Sequence, residues 1–159
     1  MFSPEQKALL EAKLDAANIK QRSQSGRTFS YIEAWQATAE CNTVFGHDGW
    51  DHEVVDLRMV SERERTVGQG QGWGVSYVCK VRVTVRAGET PVVREGVGAG
   101  HGIDRDLGQA HESAAKEAES DALKRALKSF GWRFGLALYD KDQGHVEVAP
   151  KADVKALLA

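Results

Sequence analysis

Lys116, Ser120, Lys124 and Lys128 recur at every fourth position of one stretch, and Arg125 sits beside Lys124. On a helix, residues four apart are neighbours, so these side chains form one stripe. A stripe of cations suits a polyanion, and a phosphate backbone in particular. Two further basic groups stand elsewhere: Lys20, Arg22 and Arg27 in a polar segment, and Lys80, Arg82 and Arg86 within an apolar run. All three groups are candidates for a common groove. The competing reading is local. Cations near a helix C-terminus offset the macrodipole by about 0.3–1 kcal/mol each, and Asp121 with Arg125 makes an i, i+4 pair.

Other chemistry finds less support. The stretch GHDGWDH brings His47, Asp48, Asp51 and His52 together. The residue types suit a metal, but the spacing is not a standard ligand pattern, and Asp48-Gly49 is also plain turn chemistry. GVGAGHG, residues 96–102, precedes a helix and invites a phosphate-loop reading. GxGxxG would need glycine at position 101, where His101 stands, and no GK[ST] follows. Backbone amides there could still meet a nucleic-acid phosphate. There is no GxSxG elbow, no Cys-His pairing signal and no carboxylate pair that stands out. The expectation is a protein that is not an enzyme and needs no cofactor.

The whole chain sets bounds on these readings. It has 159 residues, a formal net charge of −2 and 42% hydrophobic residues. One domain with a real core is expected. The charge excludes coating of nucleic acid by overall attraction but not a local basic stripe. Cys41 and Cys79 stand without a CxxC partner, which suits a reducing compartment. The N-terminal MFSPEQKALL lacks the basic start and apolar core of a signal peptide, and no apolar run reaches membrane-spanning length. A soluble cytoplasmic chain is expected.

The elements that must position the cations follow from pattern. Ser3-Pro4-Glu5-Gln6 predicts a capped helix fading near Ala17-Asn18, with Leu9, Leu10 and Leu14 on its apolar side. Residues 19–29 read as a polar connector. Ser30-Tyr31-Ile32-Glu33 predicts a second capping box and a helix to about Val44, stopped by Gly46. Val54 to Val60 reads as a strand, and residues 61–72 as a charged, glycine-rich and mobile turn region. VSYVCKVRVTVR has period two: Val75, Tyr77, Cys79, Val81, Val83 and Val85 face the core. Val92 to Val97 is the returning strand, and Gly98 to Asp106 reads as a loop. A long helix is expected from about Leu107 to Phe130, with many alanines suited to close packing on a sheet.

A series of blocks then becomes recognisable. Tyr31-Ile32-Glu33, Phe45 through His52, Val81-Arg82-Val83, Lys116-Glu117-Ala118, Asp121 through Gly131 and Asp140-Lys141-Asp142 occur in that order. Together they resemble the N-terminal annealing domain of the Rad52/Rad22 family over roughly residues 5–142. That family comprises eukaryotic double-strand-break repair proteins with bacterial and phage relatives.

The resemblance implies an α+β fold, with a curved antiparallel meander packed on the long helix, assembling into an oligomeric ring. It implies single-stranded DNA binding in a basic groove and annealing of complementary strands without ATP. The inner groove positions fall on Arg22, Lys124, Arg125 and Lys128. An outer DNA position falls on Arg105, and Lys116 extends the stripe. A further outer lysine of the family falls near Gly72-Trp73 and is not matched. The implied partners are single-stranded DNA, further copies of the chain, and a single-strand-binding protein or recombination partner. Residues 1–142 would form the annealing and self-assembling domain, and 143–159 a short peripheral tail. Loading functions that rest on the long tail of eukaryotic relatives are not carried over. The compact length suggests a bacterial or phage-infected host. The rival readings are a ring-forming scaffold that has lost annealing and a metal-dependent nuclease using His47, Asp48, Asp51 and His52.

Overall fold

Ser3 opens the first helix as expected. Its hydroxyl accepts from the Gln6 N–H at 3.2 Å, and the Gln6 side chain accepts from the Ser3 N–H at 3.0 Å. In this computed structural model, which describes residues 1–148, the helix is shorter than expected. α1 runs Pro4–Glu11, and Leu14 lies beyond it, buried on the short strand β1, Leu14–Asp15.

The segment expected as a connector is a hairpin. β2, Ile19–Gln24, pairs antiparallel with β3, Arg27–Ile32. Ser25 and Gly26 turn it with φ of 51° and 74°, the positive pair that a tight hairpin turn needs. Ser30 and Tyr31 are therefore spent in strand pairing, and no second capping box forms. α2 starts later, at Ala34–Phe45, with Glu33 at its N-cap.

β4, Trp50–Val67, β5, Gly70–Val85, and β6, Val92–Asp104, form one antiparallel sheet in that order. The expected meander is present, but its strands are longer than predicted. Residues 61–67 continue β4 in register with β5 up to the Gly68-Gln69 turn, in place of a mobile region. β4 is an edge strand whose residues 62–66 are exposed, so it can carry charge without apolar alternation. β5 behaves as its period predicts: Val75, Cys79, Val81, Val83 and Val85 are buried.

The expected loop at Gly98–Asp106 is strand through Asp104. Gly96, Gly98, Gly100 and Gly102 take alternate positions and so share one face. That face lies against α3, Leu107–Leu127, at Ala110, Ala114, Ala118, Ala122 and Ala126, all fully or almost fully buried. A Cβ placed on any of the four glycines would come under 3.0 Å from the α3 backbone. The helix thus rests directly on the strand with no layer of side chains between. A 3-10 turn, Lys128–Phe130, completes it.

The remaining core gathers at one end of α3. Phe45, Phe130 and Phe134 pack with Phe45 at 5.3 Å and 6.0 Å from the other two rings. Glu40, almost fully buried, is met by Arg133 at 2.9 Å. Burial pushes the Cys41 thiol up to about 12, so it stays protonated as a core residue. Of the stretch expected as a tail, Val146–Glu147 forms β7, parallel to β1, and residues 149–159 lie outside the described residues.

Gly100→Val is expected to destabilise the fold by about 3 kcal/mol, because the clash is with backbone that no rotamer change relieves. Ala99→Val, on the open face, should stay within about 0.5 kcal/mol. Urea unfolding followed by circular dichroism reads both, and equal effects would contradict the packing described.

Candidate nucleic-acid interface

With its alanine row turned onto β6, α3 presents the row Ser120, Lys124, Lys128 along a flank that faces the β2–β3 hairpin. Arg22 and Phe29 are cross-strand partners on that hairpin, as are Lys20 and Tyr31, so all four share a face. Hairpin and helix enclose an open groove of about 480 Å3. Arg22, Tyr31, Lys124, Arg125, Lys128 and Tyr139 are among the residues that line it.

Two tyrosines organise the cations. Lys124 Nζ lies 5.3 Å from the Tyr31 ring centroid, and the Arg22 guanidinium lies 5.9 Å from the same ring. Lys128 Nζ lies 4.4 Å from the Tyr139 centroid. Each ring face attracts a cation without neutralising it. Two carboxylates hold the remaining geometry. Arg125 Nε donates to Asp121 at 3.1 Å, and Arg22 stands 3.9 Å from Glu117. The same acids accept from the β6 backbone: Ala99 N–H donates to Asp121, and His101 N–H to Glu117, each at 3.2 Å.

Burial holds the Lys124 ammonium below its usual range, and Arg22 and Arg125 push the same way, while Asp121 and Glu117 oppose them. The Asp121 hydrogen bond and charge raise Arg125. A partly desolvated ammonium among guanidinium groups is a site that an anion would relieve.

The other predicted positions lie elsewhere. Lys116 is exposed and pairs with Glu112 one turn back along α3. Arg105 lies two residues ahead of α3, whose axis runs about 25 Å from Leu107 to Lys124 at 1.5 Å per residue. Its Nε donates to the Val67 carbonyl at 3.4 Å, beside the β4–β5 turn. Lys80, Arg82 and Arg86 do not join the groove. Alternation sends them to the sheet face opposite α3, where carboxylates occupy them. Arg82 meets Glu53 and Glu95 at 2.9 Å each, Lys80 meets Glu95 at 2.7 Å, and Arg86 pairs with Asp51.

The four candidate metal ligands do not converge either. Asp51 turns to Arg86, whereas His52, on the opposite face of β4, stacks on Trp50 with centroids 5.7 Å apart. Among the described residues, no group of three or more potential ligands forms. What the sequence reading missed is the part of Tyr139, whose 3-10 turn has no periodic signal. Tyr31 was read in a capping box and a family block, without its place against Lys124 and Arg22.

The domain is of the α+β class, with four cations, Arg22, Lys124, Arg125 and Lys128, lining one open groove. Residues 4–155 match the family described as Rad52/22 family double-strand break repair protein, and the chain belongs to that family. It is 38% identical over 135 residues to the DNA repair and recombination protein rti1 of Schizosaccharomyces pombe, covering 84% of this chain and 35% of that protein. It is 39% identical over 137 residues to the DNA repair and recombination protein RAD52 of Eremothecium gossypii, covering 85% and 30%. For RAD52 of Saccharomyces cerevisiae the identity is 37% over 135 residues, covering 84% and 27%. The chain spans about a third, or less, of the length of these relatives. They are fungal, and they lend no support to the bacterial or phage setting expected above. Among the described residues, no helix is long and apolar enough to cross a membrane.

The lowered Lys124 fixes the sign of a pH effect. Anion binding needs the ammonium, so oligonucleotide affinity should fall with rising pH before exposed lysines lose their charge. Lys124→Arg keeps its charge and should remove that part of the fall. Fluorescence anisotropy at constant ionic strength, taken across the alkaline range, distinguishes the two proteins.

Proposed function

We propose that this chain binds single-stranded DNA in the groove and anneals complementary strands without ATP, as a subunit of a ring. The observation that carries this reading is the meeting of Arg22 with Lys124, Arg125 and Lys128, from two distant parts of the sequence, in one open groove. The relatives' names, which speak of DNA repair and recombination, support it.

Lys124, Arg125 and Arg22 would grip the phosphates of one strand. Such contacts position a strand without reading its sequence. With the backbone turned inward, base edges face outward, and a second strand tests complementarity by pairing. No covalent bond forms or breaks. Lys116, farther back on α3, and Arg105, ahead of its first turn, would meet a second stretch of DNA.

Self-assembly has its own support. α3 covers β5 and β6 but scarcely reaches β4. Val54, Leu57 and Met59 therefore remain open on the core-side face of an edge strand, with Leu57 43% and Met59 48% exposed. Apolar surface on an unpaired edge favours a second copy of the chain. A ring would join successive grooves into one track and add avidity to modest local contacts.

Annealing of two complementary labelled oligonucleotides, without ATP and with chelator present, tests the activity. Acceleration is expected, fading with salt. For binding, the slope of log affinity against log salt should approach about −2, about −0.7 for each of three phosphate contacts. The double variant Lys124→Ala with Arg125→Ala should lose binding and keep its oligomeric state. Normal binding by that variant, or no acceleration by folded oligomeric protein, would overturn the reading. Leu57→Asp with Met59→Asp should yield smaller species in sedimentation velocity, with helical content retained.

A further inference from the structure

Tyr139 ends the last 3-10 turn, Leu136–Tyr139, and keeps 63% of its surface open. An exposed tyrosine needs no explanation by itself. This one lines the groove, and its neighbours fix its place. Ala137 and Leu138 pack into the core just before it. Just after it, the Asp140 carboxylate accepts from the Asp142 N–H at 3.1 Å and the Gly144 N–H at 3.2 Å. The turn is tied down on both sides, so the ring is held out rather than left loose.

Lys128 Nζ sits 4.4 Å from the ring centroid, which occupies part of the ring surface. The rest is open, at the rim of a groove whose floor is cationic. Tyr31 differs, because two cations already share it. Across the groove Phe29 is also open, at 44%. Exposed aromatic faces beside a cationic track are what single-strand binders use to stack bases, since every base offers a π-face.

We propose that Tyr139 is a strand-contacting residue: Lys128 steadies its ring, and the open face stacks on a nucleobase where bases leave the groove. This rests on the reading of the groove as a single-strand site. It adds that the ligand is more than a chain of phosphates. A polyanion without bases satisfies the cations and leaves Tyr139 idle, and a duplex hides the base faces that Tyr139 needs.

The test compares an ordinary single-stranded oligonucleotide with an abasic one of equal length, at one salt concentration. Wild-type protein is expected to bind the ordinary strand about tenfold more tightly. Tyr139→Leu should lose about fivefold or more in ordinary-strand binding beyond whatever it loses on the abasic strand, so that the preference for bases collapses. Tyr139→Phe should retain the wild-type preference. Thermal melting checks that both variants fold. Equal losses on both strands would show that Tyr139 merely positions Lys128, and would overturn the proposal. So would an unchanged preference in Tyr139→Leu, or a wild type that does not distinguish the strands. A wild type that binds neither strand would overturn the groove reading itself, and the proposal with it.

Discussion

The contact on which the rest depends is backbone against backbone, between the glycine row of β6 and the alanine row of α3. Removing side chains from both surfaces lets the helix settle closer than ordinary packing allows. It also fixes the rotation of α3 about its axis, since only the alanine row fits. The row carrying Lys124 and Lys128 must then emerge on the flank towards the β2–β3 hairpin. Glu117 and Asp121 reinforce this setting by accepting the free N–H groups of His101 and Ala99 on the β6 edge. Those two N–H groups are thereby taken from the β6 edge. The open edge of the sheet is β4, and its uncovered apolar residues lie there.

The same residue types do opposite work in two places, and the difference is the local supply of carboxylates. On the far face of the sheet, Lys80, Arg82 and Arg86 are paired across strands with Glu53, Glu95 and Asp51. These exposed pairs hold register and contribute little net energy each. In the groove, aromatic rings take over much of the orienting role. A ring can steady a cation while leaving its charge available, which a carboxylate cannot. Lys124 marks the consequence: burial and two neighbouring guanidinium groups disfavour its charge, and Asp121 and Glu117 only partly oppose them.

Legibility followed how local each signal was. The Ser3 capping box and the period-two run of β5 depend on near neighbours, and both were readable from sequence. The Lys124-Arg125 pair was readable as a basic helix stripe, and its groove role came from resemblance. The β2–β3 hairpin was hidden because its residues are polar and its turn is Ser25-Gly26 rather than a stronger dipeptide. The second half of β6, from Gly98 to Asp104, was hidden because its buried face is glycine, which carries no hydrophobicity to count. Its signal was alternation of glycine itself, matched to alanine at every fourth position of the following helix. The extension of β4 through residues 61–67 was masked by charge that an edge strand tolerates. The separation of Lys80, Arg82 and Arg86 from the groove needed the knowledge of which sheet face α3 covers.

A chain with a net charge of −2 could hold a polyanion only if its charges were segregated. The fold achieves this by placing one sheet face, rich in acid–base pairs, away from the groove. The proposed activity adds a second requirement, since an annealer must hold strands firmly without preferring a sequence. Phosphate contacts meet it because they carry no base identity. Stacking at the rim meets it as well, because every base presents a face of similar kind. Hydrogen bonds to base edges would not, and they would also occupy the edges that a second strand must reach. On the proposed reading, cations below and an aromatic ring at the rim would leave pairing to the DNA; the glycine–alanine contact sets the helix cations, and the Leu136–Tyr139 turn sets the ring.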